Sequence, residues 1–466
     1  MRSIAPKTLS FPLAGVSQNM NYRKPEAPYF SPYACNVRSR CALEGRLRGG
    51  SRPGLSAIGT VKTQNRGAWQ WPNGEPLLWD AQDSITYTLS EDVLTAPDGT
   101  QIVNPVSLIR VRANKGAAPE DYTACCVYRD RVFVASGSMW YASRMGDHSD
   151  FDYGADAEDV AKAVAGNVAE AGKKGEPITA LIPVHDSRLI IATANRMYLL
   201  KGDPADGLLE VLSEETGIIA PYAWARHDGT IVFMSKDGVY VMSGDGYPER
   251  FSENRMPEEL RSIDVDTHIV LMAYDPVGLG FHLFITSNDG NDMGDYYFID
   301  LGNKAVWPVM FSNNAHQPVA VCRMKNKGLE EVAMLGSDGV WRKFDPKAQD
   351  DDGTPIVSFV VLGVILISPN DVDDAVLAEL SGVMAAGSGT VTWELASGQS
   401  AEEAADKAFL GDSEVSGQWR QHRNPVNRPR LRGPWIAVTL QSEQVWAYEA
   451  VVMKSRQLGR LRAWAE

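Results

Sequence analysis

The sequence predicts an all-β protein: a β-propeller of about six or seven blades, a C-terminal β-sandwich or barrel-like domain, and an extended N-terminal arm. Three observations lead to this prediction. A hairpin-like pattern recurs about every 50 residues through the middle of the chain. The 41 Gly and 26 Pro among 466 residues argue against a mainly helical protein, because both residues break helices. The hydrophobic content of 44% is enough to fill a large core.

Residues 1–60 are rich in Pro, Gly, Arg and Tyr and contain few periodic apolar positions. Residues 1–66 hold 11 Lys and Arg but only two acids, a net charge of +9. We therefore predict an extended basic arm that packs on the C-terminal domain or on a neighbouring subunit. Glycines 49, 50 and 54 with Pro53 indicate a tight, rigid segment from which Arg46, Arg48 and Arg52 would project as assembly contacts.

The predicted propeller spans residues 61–350. Its repeats each consist of a β-branched apolar run, a short turn and a second run that opens with an aromatic or Met-aromatic pair. Clear copies occupy residues 131–147, 188–203, 230–246 and 331–346, and looser copies occupy 76–89 and 282–301. The turns fall near residues 83, 137, 195, 238, 290 and 339. This spacing fits one four-stranded blade per repeat, and the alternation of apolar residues excludes a solenoid of helix pairs.

Three short helical stretches are predicted among the strands, at residues 155–171, 252–263 and 400–410. An insertion near residues 155–171 is Ala-rich and places Val160, Val164 and Val168 four residues apart. It is interpreted as structural and not membrane-lytic, because its face is small and carries acids. The stretch 252–263 has no capping box at Ser252, whereas in 400–410 Ser400 and Glu403 have the spacing of one.

Residues 351–466 are predicted to form the sandwich-like domain, after the Asp-rich boundary at 350–353. The longest apolar run, residues 356–367, is too short to span a bilayer and is predicted to be a buried strand. Residues 418–466 contain nine Lys and Arg and three acids, a net charge of +6. We include Arg428, Arg430 and Arg432 of this basic C-terminus among the candidate assembly contacts.

Enzymatic signatures are missing from the sequence, and we predict no catalytic, cofactor-binding or metal-binding residues. No GxGxxG, P-loop, HExxH or GxSxG pattern occurs, and the seven His are scattered. Residues 288–295 resemble a calcium loop but lack a closing Glu. The 59 acids leave a glycosidase-type carboxylate pair possible, although nothing singles one out.

The N-terminus contains no signal-peptide-like run, which predicts synthesis in a reducing cytosol. The five Cys are expected to be free buried thiols, although Cys35 and Cys41 could pair.

Four segments carry a resemblance to a known family. They are RLRGGSRPGL at 46–55, WYASRMGDHSDFDY at 140–153, the stretch 213–242 containing GIIAPYAWARHDGTIVFMSKDGVYVM, and the aromatic-Asp strand, turn and Trp of 296–307. Their order is similar to that in the tail-nozzle, or DNA-stabilisation, proteins of short-tailed bacteriophages. The resemblance covers roughly residues 45–345.

The resemblance implies a structural virion protein, located in the phage tail after synthesis in the host cytoplasm. Such a protein would form a ring, expected to be a hexamer, through which the genome is retained and ejected. Its expected partners are copies of itself, the head-to-tail adaptor protein, a distal tail needle or spike protein, and genome DNA.

The charge pattern agrees with passage of DNA without tight binding. Residues 67–417 carry a net charge of −29, and such an acidic body repels nucleic acid. Two alternatives remain open. The first is a glycan-binding or glycan-cleaving propeller, such as a receptor-binding tail protein, and the second is an intracellular scaffolding propeller.

Overall fold

The computed structural model describes residues 2–17, 20–24, 29–60, 88–90, 93–95, 101–103, 111, 113–119, 121–154, 158–244, 246–253, 255–256, 263–287, 294–326, 329–368 and 373–460. This part of the chain is almost entirely β-structure, as predicted, and contains one α-helix, α1 (Ala401–Leu410). None of the helices in these ranges is long and apolar enough to cross a membrane.

The strands fall into three groups along the chain. The N-terminal segment contains β1 Arg2–Ser3, β2 Lys7–Leu9, β3 Ala34–Cys35, β4 Val37–Arg40, β5 Leu47–Ser51 and β6 Gly54–Thr60. The middle contains β7 Thr88–Ser90, β8 Val93–Thr95, β9 Gln101–Val103, β10 Lys115–Gly116, β11 Ala124–Tyr128, β12 Arg131–Ser136, β13 Met139–Ala142, β14 Asp150–Phe151, β15 Val164–Asn167, β16 Ile178–His185, β17 Arg188–Thr193, β18 Met197–Lys201, β19 Leu208–Ser213, β20 Trp224–His227, β21 Thr230–Ser235, β22 Gly238–Ser243, β23 Glu249–Arg250, β24 His268–Asp275, β25 Gly280–Ser287, β26 Asp295–Asp300, β27 Ala305–Val309, β28 Pro318–Asn326, β29 Leu329–Gly336 and β30 Val340–Asp345. The C-terminal part contains β31 Asp350–Asp351, β32 Thr354–Pro355, β33 Ser358–Leu366, β34 Asp373–Met384, β35 Val391–Gly398, β36 Val415–Trp419, β37 His422–Arg423, β38 Leu431–Arg432, β39 Trp435–Ser442 and β40 Tyr448–Arg460.

Antiparallel sheets with a common four-stranded pattern follow one another through the middle of the chain. Sheet 1 is β11-β12-β13-β15, sheet 2 is β16-β17-β18-β19, sheet 3 is β20-β21-β22-β23 and sheet 4 is β24-β25-β26-β27. Sheet 5 contains β28, β29 and β30, and the N-terminal strand β6 pairs with β30 as its fourth strand. Strands β7–β9 and β31–β32 extend sheet 5 at its two edges.

The predicted hairpins coincide with these sheets. The turns near 137, 195, 238 and 339 each join the second and third strands of one sheet. Position 290 lies outside the described residues, between β25 and β26, which are the second and third strands of sheet 4. The looser copy at 76–89 lies outside the described residues except for its last two positions. The described residues thus hold five sheets of this kind, against the six or seven blades predicted for residues 61–350.

The five sheets pack in cyclic order through shared apolar clusters. Sheets 1 and 2 share one cluster, sheets 2, 3 and 4 share a second, and sheets 4 and 5 share a third. A fourth cluster, which contains Val134 of sheet 1 and Trp341 of sheet 5, joins the last sheet to the first. Since β6 lies in sheet 5, strand pairing ties the N-terminal segment to the end of this ring of sheets.

The helical stretch predicted at 252–263 lies mostly outside the described residues. The prediction of a helical insertion near residues 155–171 is wrong for residues 158–171, the part of it that the structure describes. Val164–Asn167 is instead β15, the fourth strand of sheet 1, and Val168–Ala171 is a single 3-10 turn. The backbone carbonyls of residues 160–162 accept hydrogen bonds from the buried guanidinium of Arg131, so they are not used in a helix. Pairing and burial here outweigh the helix propensity of the alanines.

Two further sheets form the C-terminal part. The first has the order β3-β33-β39-β35-β36, and in the second β40 pairs with β34, with β1 and β2 on β40 and with β37 and β38 on β34. Their facing sides contribute to one buried cluster, for example Trp393 and Leu440 from the first sheet and Leu377 and Met453 from the second. Strands β1, β2 and β3 of the N-terminal arm therefore belong to these sheets.

Helix α1 covers the outer face of the first C-terminal sheet through Ala401, Ala404 and Ala405. Ser400 Oγ accepts the amide of Glu403 at 3.1 Å, as the predicted cap requires. The Glu403 carboxylate accepts the amide of Gln399 at 2.7 Å, one residue before the position used in a capping box.

All five cysteines are buried and free, and Cys35 and Cys41 are unpaired.

Candidate functional site

Arg52 does not project from the arm, and the prediction that it is an exposed assembly contact is wrong. Its side chain and that of Asp351 are both fully buried. The guanidinium donates to both carboxylate oxygens of Asp351, with an Nη1–Oδ1 distance of 2.8 Å, and its Nε donates to Asn36 Oδ1 at 2.8 Å. It also donates to the carbonyls of Pro53 and Met310. Arg52 thus ties the arm to sheets 4 and 5.

Arg46 and Arg48 lie on the hairpin between β4 and β5 but differ in exposure. The Arg48 side chain is only 13% exposed and pairs with Glu44 and with Glu449 of β40, so it holds the hairpin against the C-terminal sheet. The Arg46 side chain is 69% exposed, and among the described residues its ion pair is with nearby Glu44 at 2.8 Å. Of the three predicted arm contacts, only Arg46 lies at the surface with a mostly accessible charge.

Arg428, Arg430 and Arg432 are all exposed. Their segment runs beside β34, with Arg432 opposite Val376 and Leu431 opposite Leu377. Alternate residues of a strand point to opposite faces, so the burial of Leu431 places Arg432 on the outer face.

Two cations of β40 join this surface. Arg456 is exposed and lies opposite Val376 from the other side, so Val376 separates it from Arg432 by two strand spacings, each about 4.8 Å. Lys454 precedes Arg456 by two residues and points to the same face. We call Arg428, Arg430, Arg432, Lys454 and Arg456 the basic face.

The basic face contains an acid, Glu379, which lies opposite Lys454. Lys454 Nζ is 2.7 Å from a Glu379 carboxylate oxygen. This hydrogen bond, followed by the charges of Lys454, Arg428 and Arg456, lowers the pKa of Glu379. Glu379 therefore stays ionised near neutral pH, and the five cations of the basic face outnumber this one acid, which leaves a net positive surface suited to an acidic partner.

A separate cleft of about 730 Å³ opens among the turns that join the first two strands of sheets 1, 2 and 3. Arg129 and Asp130 of sheet 1 face His185 and Asp186 of sheet 2, with Arg226 of sheet 3 beside them. Some charged side chains of the cleft form ion pairs with neighbouring residues. Arg129 Nε is 3.5 Å from an Asp203 carboxylate oxygen, and Asp130 Oδ1 is 3.2 Å from His148 Nε2.

The turn of Arg129 and Asp130 adopts an unusual backbone conformation for these residues. Their φ angles are +52° and +55°, so both lie in the left-handed region. A two-residue hairpin turn of this type is usually built from Asn-Gly or Asp-Gly. The strain is small, of order 1–3 kcal/mol per residue, and it fixes two opposite charges at the mouth of the cleft.

The chemistry of the cleft is that of a polar binding surface. His185 Nδ1 lies 2.9 Å from Ser187 Oγ, but both residues belong to one exposed turn. A Ser nucleophile also needs a group that orients its base, which such a turn does not by itself supply. No three His, Cys, Asp or Glu side chains converge as metal ligands within the described ranges. Most of the calcium-like segment 288–295 lies outside those ranges.

Sequence reasoning missed the contribution of Lys454 and Arg456 to the basic face and the role of the Arg129–Asp130 turn. The alternation of cations at 454 and 456 within an apolar strand was the available signal for the first pair. The second pair stands between two β-branched runs, where a tight turn is expected.

No family model matches the sequence, and no curated protein matches it. Among solved structures, the chain is similar to PorZ, a surface component of the type-IX secretion system of Porphyromonas gingivalis. That match has 15% identity and a TM-score of 0.30, and it covers 67% of this chain and 42% of the other. The extracellular domain of a putative one-component system from B. thetaiotaomicron matches with 14% identity and a TM-score of 0.30, over 70% of this chain and 40% of the other. The chain thus spans less than half of either protein, and neither similarity assigns it a function.

Proposed function

We propose that the chain is a structural protein of a short phage tail, a nozzle or tube ring component below the portal and adaptor. The genome would be retained and ejected through the ring. The observation that carries this proposal is the ordered resemblance of four segments within residues 45–345. The same range contributes β6 and the strands of all five consecutive sheets, so the resemblance and the ring of sheets coincide.

The proposal also includes the architecture of the two parts of the chain. The cyclic packing of five four-stranded sheets supports a five-bladed propeller, closed by pairing of β6 with β30. The two C-terminal sheets with a common core support a β-sandwich. The arm would then be a connector whose strands take part in both units.

Copies of the chain would assemble into a ring, expected to be a hexamer, that contacts the adaptor above and a needle or spike protein below. Arg46 and the basic face are the candidate contacts because their charges are exposed. The acidic middle of the chain, net −29, would let DNA pass with little phosphate contact. The chain would have no catalytic role.

Negative-stain imaging of the full chain, alone and with its adaptor, tests the proposal. We expect rings with a central channel, and we expect Arg428→Glu/Arg430→Glu/Arg432→Glu to weaken ring formation or adaptor binding. A matched control with the same charge change is Lys174→Glu/Lys236→Glu/Lys347→Glu, at exposed positions elsewhere. Monomers that never form rings or bind an adaptor under any condition would contradict the proposal.

A glycan-binding protein is the second candidate, and the observation that favours it is the cleft of about 730 Å³ with its charged turns. A glycan panel distinguishes the two candidates. Saturable glycan binding that is lost in Arg226→Ala, with no ring in the micrographs, would favour a receptor-binding role. Turnover of a glycan that depends on one acid would overturn the prediction that the chain is not an enzyme.

A further inference from the structure

A small cavity of about 70 Å³ lies where the arm meets sheets 4 and 5. It is separate from both the basic face and the cleft. The β4–β5 hairpin contributes one wall, the turn between β24 and β25 a second, and the end of β30 a third. The residues that matter most are Arg38, Arg40, Pro53, Asp275, Val277 and Phe344.

Arg38 is the unusual member of this lining. Only 2% of its side chain is exposed, and its guanidinium lies 3.9 Å above the Phe298 ring and 5.2 Å from the Phe344 ring. None of its three side-chain nitrogens makes a hydrogen bond to any described residue. A buried polar group left without a partner costs about 1–3 kcal/mol, and a charged one costs more. The cavity beside Arg38 is therefore expected to contain an acceptor.

Asp275 does not supply that acceptor. Its nearer oxygen is 3.5 Å from Arg38 Nη1, which makes an ion pair but not a hydrogen bond. The same carboxylate accepts the amides of Val277 at 2.9 Å and Gly278 at 3.0 Å, and it is 3.3 Å from His282 Nε2. Asp275 thus orients Arg38 through its charge, while the guanidinium nitrogens have no hydrogen-bond acceptor among the described residues.

The shape and charge of the cavity restrict what can enter. Its volume of about 70 Å³ is several times the roughly 10–15 Å³ that a cavity needs to hold one water molecule. Pro53, Val277 and Phe344 give it apolar walls, and Val277 is 47% exposed at the mouth. Arg38 and Arg40 against Asp275 leave one net positive charge. Because the Asp275 carboxylate would repel a dianion more strongly, the charge balance favours a monoanion over a phosphate.

We propose that this cavity binds a small carboxylate, with Arg38 as the guanidinium that holds it. Carboxylate is the anion that a planar guanidinium binds best, through two parallel hydrogen bonds, and apolar walls suit the methylenes behind it. The group could come from a free small acid or from an acidic side chain of a protein partner. Exposed Arg46 and Leu47 lie at the tip of the same hairpin, a setting suited to a partner protein. The site does not depend on the proposed function.

The experiment uses the full chain and three probes: sodium acetate, a capped Gly-Glu-Gly peptide and a capped Gly-Gln-Gly peptide. Binding is measured by calorimetry and by the thermal midpoint, with sodium chloride at equal ionic strength as the reference. A ligand that binds only the folded state raises the midpoint in a saturable way. We expect acetate and the Glu peptide to bind and the Gln peptide and chloride to have no effect.

Two variants connect the signal to the cavity. Val277→Phe should block the mouth and weaken binding about tenfold or more, while Val265→Phe, at an exposed position of similar size on the loop before β24, should not. Arg38→Lys keeps the charge but loses the planar fork, and it should weaken acetate binding as well.

The possible results support or overturn different parts of the proposal. Acetate binding without Glu-peptide binding would support the carboxylate site but overturn the protein side chain as its source. Midpoints that respond to acetate no more than to chloride, or a shift unchanged in Val277→Phe, would overturn the site and leave water as the occupant of the cavity.

Discussion

The buried ion pair of Arg52 and Asp351 should be highly sensitive to substitution. It joins the N-terminal arm to β31 at the edge of sheet 5, and both side chains have no exposed surface. We would replace Arg52 by Met and Asp351 by Leu, singly and together. Each single change leaves one buried charge without its opposite, while the double change leaves an apolar pair of similar volume.

The expected magnitude comes from the hydrogen bonds and charges that each substitution removes. Removal of one partner of a buried ion pair costs about 3–5 kcal/mol. Asp351→Leu should fall in that range, because the Arg52 charge keeps only the oxygens of Asn36, Pro53 and Met310. Arg52→Met should cost at least as much, since the carbonyls of Pro53 and Met310 lose this donor as well, while Asn36 Oδ1 keeps the amide of Met310. The double variant should cost less than the sum by about 2 kcal/mol or more, since no unpaired charge remains.

The assay is urea unfolding followed by the fluorescence of the 12 Trp and by circular dichroism. Coincidence of the two transitions shows whether a single free energy of unfolding is defined. Lys347→Met, an exposed cation close in sequence to β31, is the control and should change the midpoint little. The reasoning fails if either single variant costs less than about 1 kcal/mol, or if the single costs simply add.

Three other predictions follow from the structure. Burial lowers the pKa of His282 from 6.5 to about 4, so stability should fall as the pH drops from about 6.5 towards 4, because the unfolded imidazole takes up a proton and the folded one does not. Urea midpoints across this range should fall less steeply for His282→Phe; an identical slope would contradict the assignment. Ser400→Ala should cost about 1 kcal/mol, measured by the same unfolding assay, because the amide of Glu403 loses its acceptor. Reversal of Arg428, Arg430 and Arg432 to Glu should weaken residual binding of duplex DNA and reduce the slope of log affinity against log salt by about 0.9 for each phosphate that is no longer neutralised. An unchanged slope would place that binding elsewhere.

The strand pattern of the middle of the chain was predictable because it is local. Apolar runs such as 230–235 and 238–243 lie on both sides of a tight turn, and this turn chemistry depends only on neighbouring residues. The helix of residues 401–410 was predictable for the same reason, from its cap. The structure near 155–171 was not predictable, because the side chain of Arg131, distant in sequence, donates hydrogen bonds to carbonyls that a helix would have used.

The candidate contacts were harder to predict because exposure of a charged residue depends on tertiary structure. Arg46, Arg48 and Arg52 are close in sequence, yet their side chains are 69%, 13% and 0% exposed. The decisive partners, Glu449 and Asp351, lie hundreds of positions away in sequence, and local patterns contain no information about them. Arg428, Arg430 and Arg432 follow an edge of a sheet, where alternation with buried Leu431 gives a local signal.

These placements also change how the arm should be tested. Deletion of residues 1–40 would remove the strands that pair with β40 and β33, together with Phe11, whose ring packs against Trp307, Trp446 and Tyr448. Loss of assembly after such a deletion would report damage to the fold as much as removal of an assembly surface. Because Arg46 is exposed and its ion pair within the described part of the chain is with nearby Glu44, Arg46→Glu leaves those strands in place. If the arm acts as an assembly contact, this substitution should weaken association while the unfolding midpoint stays nearly unchanged. If the arm acts only as a tie between sheets, association should match that of the unaltered chain.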